Sequence, residues 1–114
     1  MKLLTKKIEN ELAKYPIYSQ DGKGKEAKII CKFFLTYSDY TFYVLESEKL
    51  DDGNDYEFFG IGYMNGCSEY GYVTLSQLKS VRNRFGLGIE RDLYFENKKV
   101  NDLEQYELPN FLKN

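Results

Sequence analysis

KIICKFFLTYSDYTFYVLE, residues 28–46, decides the fold class of this chain. In its first half Ile29, Cys31, Phe33 and Leu35 fall on one face of an extended strand, and Ile30, Lys32, Phe34 and Thr36 on the other. Tyr37-Ser38-Asp39-Tyr40 supplies turn residues, and in the second half Phe42 and Val44 alternate against Thr41, Tyr43 and Leu45. Two such runs joined by so short a connection predict an antiparallel hairpin with heavily buried strands.

Upstream, Thr5 is an N-cap candidate, and Ile8, Leu12 and Tyr15 share a face until Pro16, which predicts a helix over residues 6–14. YSQDGKGKEAK then reads as a loop, with turn chemistry at Asp21-Gly22 and Gly24. Its GKG lacks the G-x-x-x-x-G-K-[ST] order of a phosphate cradle, so its lysines read as solvated loop charges. Downstream, SEKLDDGNDYE is a turn-rich excursion centred on Asp52-Gly53, and EFFGIGYM is a third strand. Gly60 and Gly62 share one face of it, leaving a trough open to a helix, an aromatic ring or a ligand, with a helix or a cross-strand aromatic as the expected cover. A short fourth strand is expected over residues 70–73. Thr74 and Gln77 match a capping box, and Leu78, Val81 and Phe85 recur at helical spacing, so a second helix is expected over 75–84, ended by Gly86. IERDLYFE reads as the last strand. The tail over 101–114 is expected to be loosely ordered, with one helical turn before Pro109. The sum is a single α+β domain over residues 1–114, with two main helices and a small antiparallel sheet of four or five strands.

Aromatics make up 17% of the 114 residues, as 11 Tyr and 8 Phe, and this richness in large side chains excludes a disordered chain. The opening MKLLTKKIEN is too short in apolar residues for a signal peptide and no later run reaches membrane-spanning length, so a cytoplasmic location is expected. Cys31 and Cys67 read as small buried thiols. Histidine is absent, which removes the commonest general base, and two thiols alone cannot close a zinc shell; no metal, cofactor or catalytic residue is expected. The net charge of −2 divides unevenly: residues 1–36 carry +4, residues 37–75 carry −7 and residues 76–114 carry +1.

Two groups stand out as candidate sites. Glu90-Arg91-Asp92 interrupts the last strand, and alternation sets Arg91 on the apolar face with Ile89, Leu93 and Phe95. A guanidinium there needs a partner. Glu46 and Glu69, at the ends of neighbouring strands, are the expected ones; the arginine is then a brace or a ligand-facing group, with Glu90 and Asp92 outward. The second group is the acidic excursion of Glu46, Glu48, Asp51, Asp52, Asp55 and Glu57, with Tyr56 in it and Tyr40 and Tyr70 beside it. Acids beside tyrosines suit docking on the basic groove of a nucleic-acid enzyme. DDGNDYE lacks the order of a calcium loop.

The same chain resembles the bacterial domain of unknown function 2958. The likeness rests on LLT near the start, YSQDGKG with Glu26-Ala27, Lys32-Phe33-Phe34, Tyr40-Thr41-Phe42-Tyr43, Phe58-Phe59-Gly60, Glu69 with Gly71-Tyr72, Leu75, Leu78, Val81-Arg82, and Gly86-Leu87 with Ile89-Glu90-Arg91-Asp92. It runs to Phe95. Tyr40 and Phe42 stand where the family typically has tryptophan, and Gly88 where it has proline. The resemblance implies no reaction. It implies a setting, accessory cargo of plasmids, integrative elements and phages, in which small proteins block host machinery. The expectation is a non-catalytic module that binds a macromolecule, with a host protein as the expected partner, as in counter-defence against a CRISPR or restriction nuclease. The alternative is nucleic-acid binding through the basic N-terminal third with Lys79, Arg82 and Arg84, against which the pI of about 5.2 counts. A third reading is an enzyme built on Glu90, Arg91 and Asp92 with Glu69 or Tyr72.

Overall fold

The computed structural model describes residues 2–50 and 54–113. Lys28–Ile29 (β1), Cys31–Leu35 (β2) and Thr41–Lys49 (β3) arise from the alternating stretch, and β2 and β3 form the hairpin, with Phe33 opposite Phe42 and Cys31 opposite Val44. Tyr56–Met64 (β4), Cys67–Thr74 (β5), Ile89–Arg91 (β6) and Lys98–Lys99 (β7) complete the strands among the described residues. The main sheet has the order β5-β4-β3-β2-β6 with every neighbouring pair antiparallel, and β1 pairs with β7 as a small second sheet. Lys6–Leu12 (α1) and Leu75–Ser80 (α2) make the architecture α+β.

Both helices begin where their caps lie and end earlier than periodicity alone predicts. Thr5 accepts the Ile8 N–H at the start of α1, and the N–H groups of Lys14 and Tyr15 then turn to the carbonyls of Glu11 and Leu12, a tighter winding that ends the helix ahead of Pro16. Thr74 and Gln77 close a reciprocal capping box on α2. That helix stops at Ser80 instead of residue 84 because Asn83 binds its surroundings: Oδ1 accepts the N–H groups of Phe85 and Leu87, and Nδ2 donates to the Thr36 carbonyl. Phe85, expected on a buried helix face, is exposed.

Each face of the sheet buries its own core. Leu3, Leu4, Leu12 and Leu78 cover Phe33, Phe42, Val44 and Phe58 on one face; Val100 and Leu108 cover Tyr43, Leu45 and Ile61 on the other. The second cover comes from the C-terminal segment, which forms three 3-10 turns, Val100–Asp102, Gln105–Glu107 and Asn110–Leu112, where the sequence suggested one loose turn. Tyr43 pins it by donating its hydroxyl to the Glu107 carboxylate, and Ser68 donates to the Glu107 carbonyl at 2.5 Å.

Strand ends differ from expectation for local reasons. Asn65 and Gly66 both adopt positive φ, 53° and 78°, a tight hairpin turn that starts β5 at Cys67 instead of Tyr70. Cys67, expected to be buried, is therefore exposed on an edge strand, whereas Cys31 is buried and its thiol is pushed up to about 12. β6 ends at Arg91 because the Asp92 carboxylate takes the Tyr94 N–H at 2.9 Å and turns the chain away, leaving Leu93 and Tyr94 exposed. No helix among the described residues is long and apolar enough to cross a membrane.

The two-glycine trough is filled by the cross-strand ring of Phe42, which lies 3.5 Å from where a Gly62 Cβ would sit. Gly60 is tighter still. A Cβ there would stand 1.9 Å from the Tyr43 carbonyl oxygen. The neighbouring register shifts: Val44 faces Gly60, but Glu46 faces Phe59, so Leu45 is the extra residue of a β-bulge. Gly60→Ala is expected to lose more than about 2 kcal/mol, since a backbone carbonyl cannot rotate away. Gly71→Ala, paired directly across on β5 with open space at its Cβ, should stay within about 0.5 kcal/mol of the parent. Chemical denaturation of the two variants measures the difference, and equal stabilities would remove the close-approach account.

Candidate binding site

The acidic excursion does not form one surface, because β3 runs on to Lys49 and β4 begins at Tyr56. Glu46 is only 3% exposed; its two carboxylate oxygens accept the backbone N–H groups of Tyr18 at 2.9 Å and Gln20 at 2.8 Å. Tyr56 is buried and donates its hydroxyl to Glu9 at 2.7 Å. Asp55 accepts from the N–H groups of Tyr56 and Ser76 and from the Ser76 hydroxyl, tying the start of β4 to the first turn of α2. Glu48 and Glu57 remain toward solvent, directly opposite each other on β3 and β4. Asp51 and Asp52 lie outside the described residues. Tyr40 packs half-buried against the helix-side core, away from Tyr70 on the second face.

Arg91 does not meet the expected partners. Glu46 lies on β3 and is committed to the Tyr18 and Gln20 amides, and Glu69 lies on β5 at the far edge of the sheet from β6. Instead Arg91 Nη1 donates to the carbonyls of Lys2 and Leu3 at 2.8 and 2.7 Å, tying the N-terminal segment to the sheet. Thr36 donates to Glu90 at 2.9 Å, and Lys32 lies 3.8 Å from Asp92. Among the described residues no three His, Cys, Asp or Glu side chains converge as a cation shell requires.

The side chains that do converge line a cavity of about 390 Å³ on the second face of the sheet, bounded by the 18–24 loop, β3, β4, β5 and the end of the C-terminal segment. Phe59 is the floor. Its ring centroid is 5.4 Å from that of Tyr70, nearly parallel, and 5.0 Å from that of Tyr72. Phe111 packs on Tyr70 at 5.5 Å, and Tyr18 rises from the loop opposite. Tyr18, Tyr72 and Phe111 are 74%, 54% and 73% exposed. The charged groups of the lining are Asp21 and Glu46. Burial pushes the Tyr72 phenol up, and the neighbouring negative charges of Glu46, Glu57 and Asp21 act in the same direction.

Of the sequence-derived residues, Glu46, Tyr70 and Tyr72 belong to this cavity; Tyr18, Phe59 and Phe111 come to it only through folding. The bulge brings Glu46 in, since strict alternation would place it with Phe42 and Val44 on the helix side. The one local hint is Tyr18 inside a polar, glycine-bearing loop. Residues 3–106 match the model of a family described as Protein of unknown function (DUF2958), which extends the likeness past Phe95 into the C-terminal segment. No curated protein and no solved structure matches the chain.

The acid at position 55 has a measurable consequence. Its pKa is held below the ordinary Asp value, first by the Ser76 hydroxyl, against the opposing effect of burial, with further help from the Ser76 and Tyr56 amides and Lys79. A carboxyl depressed by folding contributes stability above its unfolded value and loses it as pH falls through the lower folded value. Stability should therefore fall below about pH 4, and Asp55→Asn should flatten that part of the profile while lowering stability near neutrality. Denaturation midpoints measured across pH 2 to 7, roughly the carboxylate range, check this; an unchanged acid limb in the variant would assign the loss to other carboxyls.

Proposed function

From the chain's membership of the family of proteins of unknown function (DUF2958), which brings no reaction with it, we propose that this protein is a non-catalytic binding module that docks on another protein through the aromatic cavity. The observation that carries this reading is Tyr18. It holds a left-handed backbone with φ of 76°, a conformation that costs a bulky residue on the order of 1–3 kcal/mol. A buried carboxylate holds its N–H in place, yet its ring projects into water. Core packing gains nothing from that arrangement, whereas a recognition surface gains a rigid aromatic anchor. The adjoining rings and carboxylates extend the surface.

The partner that fits is a host protein with a basic face. In the mobile-element setting that the family resemblance implies, a CRISPR or restriction nuclease presents such a face along its nucleic-acid groove, and blocking it is a counter-defence role. A nucleic-acid-binding role has less support from the geometry. Lys14 and Lys28 are both spent on Glu11, Lys32 faces Asp92, and Arg82 caps carbonyls at the end of α2.

The test is affinity capture from a bacterial lysate by the tagged chain, its Tyr18→Ala variant and its Tyr72→Ala variant, each with and without nuclease. A stoichiometric protein partner should survive nuclease treatment and fall at least about tenfold with either variant, while circular dichroism shows both folded. A partner indifferent to both substitutions refutes docking through this cavity, and recovery of nucleic acid alone refutes the protein-binding reading.

A further inference from the structure

The charged lining of the cavity is of one sign. Asp21 and Glu46 contribute carboxylates, and none of its lining residues is basic. Glu46 is buried, and both of its hydrogen bonds come from neutral backbone amides, while the lysine ion pairs among the described residues fall on Glu11, Glu26 and Asp92. A buried carboxylate held only by neutral dipoles leaves negative potential in the space it faces, and that space is walled by aromatic rings whose faces are themselves electronegative. Carboxylates and aromatic faces lining one cavity are what a desolvated cation requires.

We propose that this cavity is a receptor for an arginine side chain presented by the protein partner; the inference rests on the docking role proposed for the same cavity. Arginine suits the site better than lysine on two counts. Its guanidinium is flat and weakly hydrated, so it can lie on the exposed rings of Tyr72 and Tyr18, while its edge turns toward Asp21 and Glu46. The cavity volume of about 390 Å³ admits the whole side chain with part of the segment that carries it. The two exposed anchors of the wall are Tyr72, packed on Phe59 from edge strand β5, and Tyr18, whose backbone N–H is held by Glu46 itself. A single carboxylate thus both sets the aromatic wall and supplies the charge.

The experiment titrates the purified full-length chain with N-acetyl-L-arginine methylamide and follows the tyrosine ring protons by NMR. Controls are the neutral citrulline counterpart and the trimethyl-lysine counterpart. The arginine probe should shift the Tyr72 and Tyr18 signals with a millimolar dissociation constant, the order expected of one side chain alone, and citrulline should bind at least about fivefold more weakly. Asp21→Asn, at an exposed position, should weaken the arginine probe about two- to threefold, more so at low ionic strength, and Tyr72→Ala should abolish the response. Equal binding of arginine and citrulline, or no shift at these rings, overturns the proposal; tighter binding of trimethyl-lysine overturns the choice of arginine. Failure here while Tyr72→Ala still loses the captured partner defeats only the arginine assignment. A captured partner that ignores Tyr72→Ala and Tyr18→Ala defeats the docking reading beneath it.

Discussion

Gln20 and Glu46 fasten the irregular part of the molecule to its regular part. Past Val44 one edge of β3 runs beyond its pairing with β2, and buried backbone groups left open there would each cost about 1–3 kcal/mol. The loop between α1 and β1 satisfies them. The Gln20 amide nitrogen donates to the carbonyls of Leu45 and Lys28 at 2.7 and 2.8 Å, its oxygen accepts the Lys28 N–H at 2.6 Å, and Tyr15 accepts the Ser47 N–H. Glu46 closes the loop from the opposite direction by accepting from residues 18 and 20. Gln20 therefore acts as a short length of strand, and no buried side-chain polar atom among the described residues lacks a partner.

The bulge at Leu45 is the geometric condition for this latch. An extra residue in β3 rotates Glu46 from the face of Phe42 and Val44 to that of Leu45. On the helix side a carboxylate would lie beside the apolar core of Leu12, Phe33, Phe42 and Phe58. On the second face it meets two amides and borders the aromatic cavity. Gly60 is coupled to the same distortion, because the Tyr43 carbonyl occupies the space that a side chain there would need. Structure and candidate chemistry therefore share a cause: the irregularity that secures the loop also sets Tyr18 and the negative charge beside Phe59, Tyr70 and Tyr72.

How much was legible follows from the range of the interactions. The hairpin, the third strand, both helix starts and the α+β class depend on neighbours within a few residues, and alternation, Thr5, Thr74 and Gln77 report them directly. Helix ends and the short last strand were misjudged where Asn83 and Asp92 competed for backbone groups, a local effect that hydrophobic periodicity does not register. The early start of β5 was readable in Asn65-Gly66, the strongest short hairpin signal in the chain. The acidic excursion misled for a different reason. Charge density alone does not tell a solvated acid from one that caps backbone N–H groups, and Glu46 and Asp55 are of the second kind.

By itself the sequence determined the kind of element that the hairpin, the third strand and both helix starts form, since side-chain period, cap chemistry and turn residues act over a few bonds. It also determined that histidine-dependent chemistry has no place here and that large aromatic side chains dominate the packing. The tertiary structure alone decided which of those aromatics share a surface, which face Glu46 occupies, and that Arg91 holds the N-terminal segment instead of Glu46 or Glu69. The physical reason is that these depend on contacts spanning tens of residues and, for Glu46, on a shift of one residue in strand register, which reverses the face of every side chain that follows it.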